Sequence, residues 1–156
     1  MIEIKLDGLK QLQDRLAELE PKLAARELAN AVRVGASTVQ KEVRKNAPDS
    51  PRQHKHGDLR QNIKVRRIRA TERNAVAFGV STGAAFYAKF IEFGRGIVQI
   101  KKRRVLSDGR QFFGEEVKAV APNPFMRKSF DESAGRALEN IRARLAAGLE
   151  RIARRR

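Results

Sequence analysis

The sequence predicts an α+β fold: a small central antiparallel sheet packed by a long N-terminal helix and a long C-terminal helix, with an inserted β-hairpin. Three observations carry that expectation. Apolar residues recur at helical spacing toward both ends of the chain, from Leu9 to Val43 and from Phe130 to Ile152. Between them, Ile63 to Val80 contains two runs in which apolar and polar residues alternate with period two. Further on, Val98–Ile100 and Phe112–Val117 flank a basic run and an Asp108-Gly109 turn.

Each element follows from its residues. Ile2, Ile4 and Leu6 alternate with Glu3 and Lys5, which predicts a short half-buried strand before Asp7-Gly8 turns the chain. Leu9, Leu12, Leu16 and Leu19, then Leu28, Val32, Val39 and Val43, predict a broken or kinked amphipathic helix over 8–46. Pro21 marks the break or the first turn of a new helix. Ala31, Gly35 and Ala36 leave room on that helix for a closely packed neighbour. Residues 47–57 hold two of the five prolines and predict an exposed loop. Ile63, Val65 and Ile68, then Val76, Phe78 and Val80, predict a hairpin across Thr71–Asn74, with Arg66, Arg67, Arg69 and Arg73 on its exposed face or rim.

Ala84 to Phe93 reads as a short helix or irregular segment. Phe86, Phe90 and Phe93 recur at three- and four-residue spacing and are expected in the core, with Tyr87 alone expected at the surface. Residues 97–120 are the inserted hairpin and carry Lys101, Lys102, Arg103 and Arg104. In the last helix Asn123 is the expected cap and Pro124 the first helical position. Phe130, Ala134, Leu138, Ile141, Leu145, Leu149 and Ile152 form one apolar stripe, suited to burial against the sheet or a sister subunit. At 156 residues the chain is expected to form a single domain, 1–156.

Charge narrows the function. Thirty-four Lys and Arg against eighteen Asp and Glu leave +16, an excess that favours polyanions or acidic protein surfaces as neighbours. It is regional: 41–75 carries eleven basic and four acidic side chains, whereas 1–40 carries six of each. The absence of cysteine excludes disulfides, thiolate metal sites and cysteine nucleophiles. No run reaches the ~18 apolar residues of a membrane span, so no membrane role is expected.

Candidate chemistry is sparse. His54, His56 and Asp58 are the one cluster that suggests a metal or an acid–base pair. They lie in a proline-rich loop around Lys55, with no matching ligand group downstream. A solvated loop is the better reading, and neither a metal, a cofactor nor catalysis is expected. Glu115 and Glu116 are neighbours on a predicted hairpin and point to opposite faces. Arginines beside Phe86, Tyr87, Phe90 and Phe93 offer phosphate contacts and base stacking, which keeps nonspecific nucleic-acid binding as the alternative function. Lys101 to Arg104, with Arg66, Arg67 and Arg69, are the candidate contacts to DNA or to a partner.

Four segments carry a family resemblance. Phe86-Tyr87-Ala88-Lys89-Phe90-Ile91-Glu92-Phe93-Gly94 matches a pattern FYAxFxEFG. Leu9 to Ala47 resembles a leucine-rich helix ending in NAP, and Gly57-Asp58-Leu59-Arg60-Gln61-Asn62-Ile63 resembles TGxLRxSI. Ala121-Pro122-Asn123-Pro124-Phe125-Met126-Arg127-Lys128-Ser129-Phe130 resembles xPxPFLRPAF. In this order they resemble the phage tail-component family called gene product ten after its founding lambdoid phage. Lambda's minor tail protein Z is a more distant relative in role. His56 and Asn62 depart from the pattern, and about 25 residues separate the second pair of motifs, which the family joins by a short link.

The resemblance implies a noncatalytic virion assembly protein acting in tail completion or head–tail joining at the neck. It implies a ring, most often a homo-hexamer, on the DNA channel, and assembly in the host cytoplasm. The implied partners are the tail terminator, the tail tube and head-completion or connector proteins, with nonspecific contact to phage DNA. Phe86, Tyr87, Phe90, Glu92, Phe93, Gly94, Pro124, Phe125 and Phe130 are the family-motif and core positions it marks.

Overall fold

A computed structural model describes residues 11, 12, 14, 17, 21–49, 58–70, 75–99 and 116–154. The strand expected over Ile2–Leu6 lies outside these residues, as do most of the expected 47–57 loop, the expected Thr71–Asn74 turn, and residues 100–115 of the expected inserted hairpin with Lys101 to Arg104.

Helix α1 spans Pro21–Asn46, and Pro21 opens it as its first residue, where the missing N–H costs no hydrogen bond. Helix α2 spans Leu59–Asn62, strand β1 Lys64–Ile68, strand β2 Ala77–Ser81 and helix α3 Ala88–Phe93. Strands β3 (Val98–Gln99) and β4 (Glu116–Val117) follow, and helix α4 spans Phe125–Ala153. The architecture is α+β. β1 and β2 pair antiparallel, Val65 opposite Val80 and Arg67 opposite Phe78. β3 and β4 form the antiparallel stem of the inserted hairpin, and a bridge between Arg95 and Val120 extends it toward the body.

α1 and α4 make the most extensive interface and run antiparallel, with the β1–β2 hairpin lying against α1. Small residues set the spacing of the two helices. A Cβ on Gly35 would stand 2.5 Å from Ile141 Cγ1 and 3.1 Å from the Ala137 carbonyl oxygen, closer than carbon atoms pack. Along the same seam, α4 buries Ser129, Ser133 and Ala137. The serine hydroxyls return to their own helix, Ser129 Oγ donating to the Phe125 carbonyl and Ser133 Oγ to the Ser129 carbonyl, both at 2.6 Å. With their polarity satisfied in place, serines serve as small core residues.

This seam corrects the expected stripe of the last helix. Leu145 and Leu149 are buried, beside Ala31. Phe130, however, is 56 % exposed, and Ala134 and Leu138 are half-buried. In the first half of α4 the side facing α1 carries small side chains that permit close approach, while Phe130, Ala134 and Leu138 lie to one flank.

The main core gathers Val39, Val43, Ala47, Leu59, Ile63, Ala85, Ala88, Phe125 and Ala137. Ala47 therefore belongs to the core and not to an exposed loop. Ile63, expected in a strand, instead closes α2. Its carbonyl accepts from Gln40 Nε2 at 2.7 Å and from Arg44 Nη2 at 2.8 Å and Nε at 3.2 Å. α2 itself was not foreseen; the Asp58 side chain caps it by accepting from the Arg60 backbone N–H at 3.2 Å.

Two ionic clusters also cross the α1–α4 seam. Glu27 is buried on α1 and accepts from Arg151 Nη2 at 3.0 Å and Arg144 Nη1 at 3.3 Å. Glu27→Gln is expected to lower stability by about 1–2 kcal/mol in a denaturant titration, since both arginines retain partial access to water. Glu42 pairs with Arg136 at 2.8 Å and Lys45 at 3.0 Å, and its hydrogen bonds to Lys45 and Arg136 hold its carboxyl below the usual carboxylate value. Because the folded value lies below the unfolded one, the unfolded chain takes up the proton first on acidification. The contribution is thus complete above the unfolded value of about 4.5 and is lost as pH falls through the folded value. Melting curves of Glu42→Gln should show a smaller acid-induced loss of stability than wild type over that window.

Candidate assembly surface

The motif Phe86–Gly94 is divided between two faces of α3. Ala85, Ala88 and Glu92 are buried, and Ile91 and Tyr87 pack on the main core. Positions 85, 88 and 92 fall at spacings of three and four, so they share one side of a helical segment. The opposite side carries the phenylalanines. Phe86 is 59 % and Phe93 73 % exposed, and Phe90 is half-buried.

The expected burial is therefore overturned for Phe86 and Phe93, while Phe90 is half-buried and Tyr87, expected outside, packs on the core. Periodicity identified a face correctly but not its direction, because the six-residue helix buries its small and acidic side. Burial, and secondarily the negative charge of Asp58, pushes the Tyr87 phenol above its ordinary value. Its ring stands edge-on to Phe86, with centroids 6.0 Å apart at 83°. The Lys89 ammonium and the Arg95 guanidinium lie 5.0 and 5.1 Å from the Phe90 ring centroid, cation–π distances.

Glu92 links the first motif to the last. Its Oε2 accepts from the Met126 backbone N–H at 2.9 Å, and its Oε1 accepts from that of Arg127 at 3.1 Å. These are among the first N–H groups of α4, which have no partner inside the helix. Pro124 occupies the cap position and offers no side-chain hydrogen bond. The expected Asn123 cap and Pro124 as first helical residue are both corrected: the cap is a carboxylate from another element, placed where the helix dipole favours negative charge. The Asn123 N–H in turn donates to the Ile91 carbonyl at 2.7 Å. Phe125, the first residue of α4, is fully buried beneath this junction.

Gly94 allows the chain to leave. Its φ of +75° lies in the left-handed region, and a Cβ would stand 3.0 Å from Pro122 Cδ and the Val120 carbonyl oxygen. Gly94→Ala is expected to cost about 1–3 kcal/mol from both causes, read as a lower melting temperature with the α-helical spectrum retained. Arg95 then pairs with Val120 through backbone hydrogen bonds of 2.9 and 2.8 Å. Exposed Ile97 and Val98 follow Phe93 on the same chain segment.

A second apolar surface lies along α4. α1, β2 and α4 bound an open groove of about 500 Å³. Val32, Ala36, Phe78, Phe130, Ala134 and Leu138 are among its lining residues, none of which is charged. The candidate cations are elsewhere: Arg66, Arg67 and Arg69 are exposed on and just beyond β1, while Lys101, Lys102, Arg103 and Arg104 lie outside the described residues. Among the described residues no group of three or more His, Cys, Asp or Glu could hold a metal ion, and no helix is long and apolar enough to cross a membrane.

The roles of Glu92 and of the groove were missed from the sequence. A signal for Glu92 was present, since it shares a helical side with Ala85 and Ala88.

Comparison with curated proteins and with solved structures finds no match. The family model for the bacteriophage HK97-gp10-like tail component matches residues 10–94, more than half of the chain. The matched stretch takes in α1, the β1–β2 hairpin and α3, and ends on the glycine that follows the capping glutamate. With the Phe86–Gly94 motif folded into the join between α3 and α4, the chain belongs to the HK97-gp10-like family of phage tail components, structural proteins of the virion.

Proposed function

We propose that this tail component acts in tail completion or head–tail joining, as a noncatalytic ring at the neck of the virion that surrounds the DNA channel. Its partners in this reading are the tail terminator, the tail tube and the head-completion or connector proteins, its ring is a homo-hexamer, and it assembles in the host cytoplasm. The observation that carries the reading is the surface of the chain. An open apolar groove and an outward phenylalanine face occur on a protein of +16 charge. Apolar surface of this kind marks protein–protein contact, while net positive charge suits a channel through which a polyanion passes.

Deleting the gene from its phage is expected to leave filled heads and tails that do not join, restored when the protein is supplied in trans. Normal infectious particles without the protein, or gold-labelled antibody binding only at the far tip of the tail, would contradict the neck reading.

The exposed Arg66, Arg67 and Arg69 favour a second reading, nonspecific nucleic-acid binding. It requires duplex affinity that falls steeply with salt. Replacing the three arginines together should lower that affinity and flatten the salt slope, without preventing head–tail joining if the neck reading holds.

A further inference from the structure

We infer that the polar pocket at the far end of the α1–α4 seam is a binding site for a phosphate group. The inference rests on that pocket alone and does not depend on the neck reading.

The pocket has a volume of about 320 Å³ and lies between the N-terminal part of α1 and the C-terminal part of α4. Arg26, Glu27 and Asn30 line it from α1, Arg144 and Arg151 from α4. Residues 26 and 30 are one helical turn apart and share a side of α1, as residues 144 and 151, two turns apart, share a side of α4.

Glu27 sets the arrangement. Its carboxylate is buried and takes one guanidinium on each oxygen, Arg151 Nη2 at 3.0 Å and Arg144 Nη1 at 3.3 Å. Gly148 leaves the room for this: a Cβ there would run into Glu27 Oε2 and stand 3.1 Å from Arg144 Nη1. Each of the two arginines is thus held by one nitrogen and has further N–H donors to offer. Their side chains are 29 % and 51 % exposed, so a solute can reach them. Among the described residues Arg26 and Asn30 have no hydrogen-bond or ion-pair partner.

Charge and geometry select the ligand. Three arginines and one glutamate line the pocket, which leaves two positive charges uncompensated. Those charges repel a metal ion and attract an anion. A carboxylate has two oxygens in one plane, and a single guanidinium satisfies both. A phosphate presents oxygens in several directions, enough to accept from arginines on both helices at once. The volume lies at the small end of ligand pockets and suits a phosphate or sugar-phosphate.

The test is a titration of the purified full-length chain with sodium phosphate at constant ionic strength, followed by the NMR signals of the arginine Nε–H groups. Those of Arg26, Arg144 and Arg151 are expected to shift along one saturable curve, which those of Arg66, Arg67 and Arg69 do not follow. Arg26→Gln should keep the melting curve of wild type and weaken binding about tenfold, the loss of one charge-assisted contact. Arg26→Ala serves in its place if glutamine disturbs the melt. A short DNA duplex then distinguishes the sources of the group. If the site takes a backbone phosphate, the duplex displaces free phosphate and is itself weakened by Arg26→Gln. If it takes a free ion or nucleotide, the duplex leaves the phosphate curve unchanged. No saturation, an equal response to sodium acetate, or full affinity in the Arg26 variant overturns the site, and leaves the neck reading untouched.

Discussion

Replacing Glu92 by alanine is expected to lower the stability of this protein by about 2–4 kcal/mol, a fall of roughly 5–15 °C in Tm for a chain of this size. The carboxylate is buried and accepts from two N–H groups of the first turn of α4, at 2.9 and 3.1 Å. Pro124 supplies no side-chain cap in its place. Alanine leaves both unpaired and opens a void between α3 and α4, so two costs add. Glutamine keeps an acceptor oxygen but loses the charge that the helix N-terminus favours, and should fall about midway. Hydrogen exchange gives the local readout: in Glu92→Ala the amides of Met126 and Arg127 should lose protection more than those near Leu145. An unchanged Tm would mean that the cap contributes nothing.

The second large effect is expected at Gly35, where leucine should cost about 2–4 kcal/mol. The cause is not conformational, since a helix-interior glycine gains about 0.5–1 kcal/mol in propensity from any ordinary residue. It is steric. The Cβ alone would meet Ile141 Cγ1 at 2.5 Å and the Ala137 carbonyl at 3.1 Å, and the carbonyl belongs to a helix backbone that cannot rotate away. Ile141→Ala should recover part of the loss by removing one of the two obstacles. The double-mutant cycle should show a coupling of about 1–2 kcal/mol. Additive effects would mean that Gly35 and Ile141 do not meet across the seam.

The two substitutions also mark what could be read in the sequence. The small residues Ala31, Gly35 and Ala36 announced a close neighbour, and α4 supplies it. The alternation of Val65 with Arg66 and of Phe78 with Gly79 announced the antiparallel hairpin, because period two has few other physical meanings. Pro21 opened its helix as a proline at the first helical position should. The stem of the inserted hairpin, Val98–Gln99 against Glu116–Val117, was legible from the runs that flank its polar middle.

Direction was not legible. Phe86 and Phe93 form a true face, but hydrophobicity records what a side chain would gain by burial and not which molecule buries it. The same holds for Phe130, left open while Ser129 and Ser133 enter the core. A serine whose hydroxyl bonds back four residues costs little there, and its small volume is what the seam requires. The cap on α4 was invisible for a different reason. Asn123 had the right chemistry at the right place, but the acceptor came from Glu92, more than thirty residues away, and only the tertiary fold brings it to Met126. The residues that join α3 to α4 are those whose partners are far apart in the chain.

The most direct test of the account is an image reconstruction of the neck of intact virions at a resolution that traces helices. It predicts a ring of copies of this fold between head and tail tube. The contrary result is a neck built wholly of other proteins, with this fold found elsewhere on the tail.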